Sequence, residues 1–137
     1  MGLTHLDAGV VIGFLDRNDA HHGPARAALD AARDRHDALE MAASAVAACL
    51  VGPARRGPDA VMVVREMLAH LPVGVVDLDE EIVVAAATLR AQHRSLRSPD
   101  ALVIASAIAR GAERLVTTDR GWPPAHSLGL AVDVLGR

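Results

Sequence analysis

A three-layer α/β/α fold around a central, mainly parallel sheet is the class this sequence predicts, on three observations. Short apolar runs of strand length alternate along the chain with longer stretches of helical spacing. Runs such as 72–78 (PVGVVDL) hold no charge until their last residues, the pattern of strands covered on both faces. Helical stretches separate the successive runs, as parallel pairing with right-handed crossovers requires.

Each element has its own signals. Residues 3–6 (LTHL) read as a buried strand ended by Asp7, and 10–16 (VVIGFLD) follow with helical spacing. Residues 21–36 form a second helix, with Pro24 early and Ala28, Leu29 and Ala32 as its apolar stripe. A short strand over 40–43 leads to Ser44, the expected N-cap of an alanine-rich helix that stops near Gly52-Pro53. Pro58 opens a helix over 58–70, and 72–78 is the next strand. Residues 79–93 form an amphipathic helix with acids in its first turn and Arg90 and His93 in its last, as the helix dipole favours. The most apolar helix, 98–111, opens on Ser98-Pro99-Asp100 and closes on Gly111. Residues 113–119 (ERLVTTD) form a buried strand ended by Asp119, and 129–136 the last strand. No repeat, low-complexity tract or linker interrupts the chain, so its 137 residues are expected to form one domain, 1–137.

Composition narrows the function. No apolar run approaches the roughly 20 residues of a membrane span, and the start, MGLTHLD, lacks the basic, apolar pattern of a secretion signal. A lone cysteine, Cys49, agrees with a reducing compartment, so a cytoplasmic protein without membrane contact is expected. Lysine is absent; all 14 basic residues are arginine. That excludes P-loop NTPases, Schiff-base enzymes and phosphoaspartyl enzymes with a lysine clamp. Phe14 and Trp122 are the only aromatic residues, too few for a base-stacking platform. The net charge of −3 argues against binding nucleic acid by bulk charge.

In a parallel sheet the strand C-termini share one edge, where ligands bind. Asp7 and Asp119 end strands, and Asp100 starts a helix near that same edge. Singly, Asp100 reads equally well as a helix cap and Asp119 as a turn residue; Asp7, inside an apolar stretch, does not. Together the three form a carboxylate cluster, which persists best at neutral pH with a cation. Oxygen-only ligands select Mg²⁺ or Mn²⁺ over zinc, and such an ion suits phosphodiester chemistry.

The stretches LDAGVVIGFLDRNDAHH, ASAVAACLVGPARRG and LRSPDALVIASAIARGAERLVTTDRGW, in that order and spacing, resemble the PIN domain, and within it the VapC-like toxins of type II toxin–antitoxin pairs. The resemblance covers nearly the whole chain. It implies a Mg²⁺- or Mn²⁺-dependent endoribonuclease acting on structured RNA of the transfer or ribosomal class. It further implies a cognate antitoxin laid over the site, and homodimerisation. Asp7, Asp100 and Asp119 match the metal-binding acids of the family, and Thr117 the threonine of its T-x-D motif. The fourth family acid, a glutamate four residues before the Gly-Pro, falls on Ala48. The chain is then either a deliberately inactivated toxin, the preferred reading, or a naturally degenerate module that binds RNA or a protein without cleaving. Glu40, at the far end of its short strand from Ser44, cannot stand in for the missing acid.

Arginine can hold phosphate bidentately despite net negative charge. Arg55 and Arg56, Arg94 and Arg97, and Arg120 lie near the proposed acids in sequence and are the candidate RNA-guiding rim. Singly, each also reads as an ordinary solvated charge. A haloacid-dehalogenase-like phosphatase is the main enzymatic rival. It fails because Gly9 stands where that chemistry needs a second aspartate, and because its lysine is absent.

Overall fold

A computed structural model describes residues 2–136; Met1 and Arg137, the ends of the expected 1–137 domain, lie outside the described residues. The chain runs β1 (Leu3–Leu6), α1 (Ala8–Leu15), α2 (His22–Asp34), β2 (Ala38–Ala42), α3 (Ala43–Arg56), α4 (Pro58–His70), β3 (Val73–Val76), α5 (Glu80–Gln92), α6 (Ser98–Ala109), β4 (Arg114–Thr117), α7 (Ala125–Leu128) and β5 (Val132–Val134). The sheet has the order β3-β2-β1-β4-β5, and every pairing is parallel. This is the predicted three-layer α/β/α architecture. No helix among the described residues is long and apolar enough to cross a membrane.

The strand order fixes where a ligand would sit. From β1 the chain builds outward through β2 to β3, then returns across the sheet to place β4 on the other side of β1. Right-handed crossovers put α1–α4 on one face and α5–α6 on the other. Contacts agree with that division: the Cys49 thiol of α3 reaches the Ala8 carbonyl of α1, while Arg110 at the end of α6 reaches Glu40 through the opposite face. The direction of winding reverses between β1 and β4, and the crevice outside their C-terminal ends is the topological switch point. Between the layers, Leu6, Val10, Val11, Met41, Ile104, Leu115 and Val116 are almost wholly buried. Each such side chain stabilises the fold by roughly 1.5–3 kcal/mol relative to exposure.

The alanine-rich helix departs most from expectation. It starts two residues earlier than a Ser44 cap allows, with Ala42 as N-cap, and it runs through Gly52-Pro53 to Arg56. Ser44 lies inside its first turn with its hydroxyl buried and unpartnered. Ala45, Cys49 and Pro53, four residues apart, form the buried stripe of this helix. Pro53 therefore packs inward, and that packing outweighs the one backbone hydrogen bond it removes. Gly57, at φ 123, is the actual stop. Strand β2 also begins earlier than expected, at Ala38, so Glu40 lies mid-strand opposite His5 and Gly74 rather than at a strand end. A short helix, α7, precedes β5 where only connecting chain was expected.

Candidate active site

Asp7 directly follows β1 and is the N-cap of α1. Its Oδ1 accepts from the Ala8 amide at 2.9 Å, one of the orphan donors at a helix start. Its Oδ2 accepts from the Thr117 hydroxyl of β4 at 2.7 Å. That hydroxyl in turn accepts the Asp119 amide at 3.0 Å. The Asp119 carboxylate accepts from the Gly121 amide at 2.7 Å, which closes the turn that follows β4. One threonine thus joins the loops after two adjacent parallel strands, at the switch point.

Asp100 approaches from the first turn of α6, where its side chain is only 15% exposed; Arg97 stands 3.7 Å from it. Burial, then the nearby charges of Asp119 and Asp7, push its carboxyl above the usual carboxylate range, against the pull of Arg97 and Trp122. Asp7 is also raised, first by burial and finally by Asp119, although Thr117 and Ala8 stabilise its charged form. The three acids are therefore close enough to repel one another. They do not form a closed cage: among the described residues, no three His, Cys, Asp or Glu side chains converge in a metal-ligand arrangement. Mg²⁺ does not need one, because it keeps several waters and takes one or two carboxylates together with substrate phosphate. The donor set, all oxygen and mutually repelling, fits such an ion.

Gly9 is part of this construction. A Cβ there would run into the Thr118 hydroxyl as it is placed, so α1 and the loop after β4 meet closely over a residue without a side chain. Any side chain at this position, including the aspartate the phosphatase rival requires, would force the Thr118 hydroxyl to move.

The remaining sequence-predicted residues are dispersed. Ala48 is exposed and lines a groove of about 750 Å³ with Ile12, Leu15, Asp16, Arg56 and Met67, between α1, α3 and α4. Its neighbour Cys49 lies within electrostatic reach of Asp7. Burial, then the Asp7 charge, push the thiol up to about 12, so it is a protonated, inert group. Arg55 and Arg56 close α3, about 20 Å along the helix from its start at the acid edge. Arg56 faces the groove rather than the aspartates. Arg94 is exposed between α5 and α6, Arg97 flanks Asp100, and Arg120 donates to the Gly136 carbonyl. Glu40 is held by a bidentate Arg110 contact, with its shortest distance 2.8 Å. Thr118 is a site-edge residue that sequence reasoning did not single out, while Gly9 was read only against the phosphatase rival and Trp122 only as one of two aromatic residues. The only signal was their place inside LDAG and TTDRGW.

An α/β protein with acids at a parallel switch point is the class this geometry defines. A family model for the PIN domain matches residues 5–124, and the chain belongs to that family. No curated relative matches the sequence. Among solved structures, the chain resembles VapBC2 from Rickettsia felis bound to a DNA fragment from its promoter. The TM-score is 0.74 at 12% identity, covering 97% of this chain and 98% of that one. It also resembles the sarcin–ricin-loop-cleaving toxin VapC20 of Mycobacterium tuberculosis (TM-score 0.67, 16% identity, 96% and 98% covered). DNA-bound VapBC from Salmonella typhimurium is similar as well (0.70, 17% identity, 98% of each chain). At such identities the likeness establishes the fold, which is VapC-like.

Proposed function

We propose that this chain is the toxin of a type II toxin–antitoxin pair, a Mg²⁺- or Mn²⁺-dependent endoribonuclease impaired by Ala48. The observation that carries the reading is the Thr117 hydroxyl between Asp7 and Asp119, with Asp100 within electrostatic reach. Asp7, Asp100 and Asp119 would hold the cation, which when bound supplies Lewis acidity to a phosphodiester. Thr117 fixes the Asp7 carboxylate. The Ala8 amide at the helix N-terminus favours the charged form of that carboxylate, against the burial that raises its pKa. Arg97, beside Asp100, is positioned to meet a phosphate, and Arg94 and Arg120 extend that charge. The substrate class is structured transfer or ribosomal RNA, supported by the relative that cleaves the sarcin–ricin loop. The partners are a cognate antitoxin, in keeping with the VapBC relatives, and a second copy of the chain. The working location is the cytoplasm, and the whole chain acts as one domain.

Ala48 supplies no carboxylate, which favours a second reading: a PIN module that binds RNA or protein without cutting. One substitution separates the two. Ala48→Glu should restore Mg²⁺-dependent RNA cleavage and growth inhibition that a neighbouring antitoxin relieves. A folded Ala48→Glu protein that binds RNA, leaves it intact and does not slow growth supports the binding module.

A further inference from the structure

We propose that the outer face of α5 is where a second copy of the chain docks, antiparallel, across a two-fold axis near Ala87. The idea rests on the reading of a second copy as a partner and adds the surface it uses. Between Glu81 and Arg90 the stretch IVVAAATL carries no charge. Sequence spacing predicts an amphipathic helix here, yet only Ile82 and Ala86 of the stretch are buried. Val83 and Val84 are 49% and 58% exposed, and Ala85, Ala87 and Thr88 lie open beside them. A helix that is apolar all round is ordinarily covered all round. The one polar side chain on the open side is satisfied within the helix, because the Thr88 hydroxyl donates to the Val84 carbonyl at 3.1 Å. Covering this face strands no polar side chain.

Charge decides what covers it. Asp79, Glu80 and Glu81 crowd the start of α5, whereas Arg90, His93 and Arg94 gather at its end. Asp79 caps the helix, and Arg90 bonds to the Leu96 carbonyl and the Ser98 hydroxyl. Glu80, Glu81 and Arg94 are exposed and, among the described residues, make no ion pair. Glu80, Val84, Ala87 and Ala91 recur at three- and four-residue spacing, on the side opposite Ile82 and Ala86. Ala87 lies midway between Glu80 and Arg94. An antiparallel copy therefore lays each acidic end over the other's basic end, the self-complementary pattern a two-fold contact requires. A parallel copy would set acid on acid. Valine and alanine along the seam let the two axes approach to about 8–10 Å. Helix α4 also exposes Met62, Val63 and Met67, but Asp59, Arg65 and Glu66 are interspersed among them.

Sedimentation of the purified full-length chain, without metal or antitoxin, should give twice the chain mass. Val84→Glu should weaken self-association about 30-fold or more, the effect of an unpaired charge at the centre of an interface. Its circular dichroism should stay native, because residue 84 is exposed. Glu80→Arg and Arg94→Glu should each weaken association, and the two together should restore it, since each swapped end again meets its opposite. A short bismaleimide should join Ala87→Cys to its own copy, with native Cys49 buried out of reach, and should leave Met62→Cys on α4 unjoined. A native chain that stays monomeric overturns the proposal. So does a dimer indifferent to Val84→Glu, although the homodimer itself then stands. If Val84→Glu instead loses only a co-expressed antitoxin, the face belongs to that partner and the proposal fails. None of these outcomes depends on Mn²⁺ binding, so the cation reading of the acid edge is tested apart from them.

Discussion

Thr117 donates to Asp7 at 2.7 Å from the neighbouring strand, and this one hydroxyl makes two loops into one site. Its second role, accepting the Asp119 amide at 3.0 Å, uses its other face. Thr117→Val preserves the shape of a fully buried residue and leaves the Asp7 carboxylate without its strongest donor. The Asp7 carboxyl should then rise further, since burial already raises it and Thr117 opposes that rise. Urea unfolding should show a loss of about 1–3 kcal/mol, and Mn²⁺ affinity should fall. Thr117→Ser should recover most of both; a serine variant as weak as the valine variant would assign the effect to packing.

Crowded acids cost stability, and Asp100 offers the direct measure. Its folded-state pKa is raised, by burial first and then by Asp119 and Asp7, so its ionised form is disfavoured in the native protein. The penalty is fully present above the folded pKa, shrinks as pH falls below it, and is gone only below the unfolded value. Asp100→Asn should therefore raise the melting temperature by a few degrees at pH 7.5 in EDTA, on the order of 1 kcal/mol. The gain should vanish under acidic conditions where Asp100 is protonated, while Mn²⁺ binding drops at neutral pH. A variant less stable at pH 7.5 would contradict the repulsion inferred among the acids.

The sequence carries the sheet edge well and α3 poorly, for identifiable reasons. Asp7 and Asp119 come at the ends of short, mostly buried runs, LTHL and RLVT, where the first carboxylate marks the edge of the sheet. Helix α3 carries misleading local signals: Ser44 looks like a cap and Gly52-Pro53 like a stop. Tertiary packing of Ala45, Cys49 and Pro53 overrides both. Residue 48 was located from a motif, and its exposure beside an apolar groove depends on how α3 rotates against α1, which no local pattern encodes. The arginines were grouped by sequence neighbourhood, yet a helix of this length carries Arg55 and Arg56 away from the acids it starts beside. The burial of His5 and Trp122, with ring nitrogens left unpartnered, depends on elements distant in sequence and was illegible for the same reason.

Gly9 and Thr118 give a prediction about close approach. Alanine at position 9 gains about 1 kcal/mol of helix propensity over glycine, but its Cβ overlaps the Thr118 hydroxyl. Overpacking of this kind costs about 1–3 kcal/mol, so Gly9→Ala alone should be neutral to destabilising. Paired with Thr118→Ala the clash disappears, and the double variant should exceed the stability expected from the two single changes by about 1–2 kcal/mol in denaturant unfolding. Additive single effects would show that Thr118 simply rotates away at no cost.

His5 should set the acid limit of the metal-free fold. It is fully buried in β1 with neither ring nitrogen partnered, beside Glu40 and Arg110. Burial lowers its pKa from 6.5 to about 4; Glu40 opposes that and Arg110 adds to it. The unfolded chain therefore takes up a proton near pH 6.5 that the native protein refuses until about pH 4. Stability attributable to His5 is intact above pH 6.5 and falls as pH drops through that window, by about 3 kcal/mol in all. Asp7 and Asp100, both raised, act in the opposite sense as pH falls. The comparison must therefore be between native protein and His5→Leu, in which both acids remain. Urea unfolding from pH 7.5 to 4 in EDTA should show the leucine variant losing about 3 kcal/mol less than the native chain. It should also be no less stable at pH 7.5, because leucine fills the strand without an unpaired ring nitrogen. Parallel pH profiles for the two proteins would mean that His5 takes up its proton in the native state as readily as in the unfolded one.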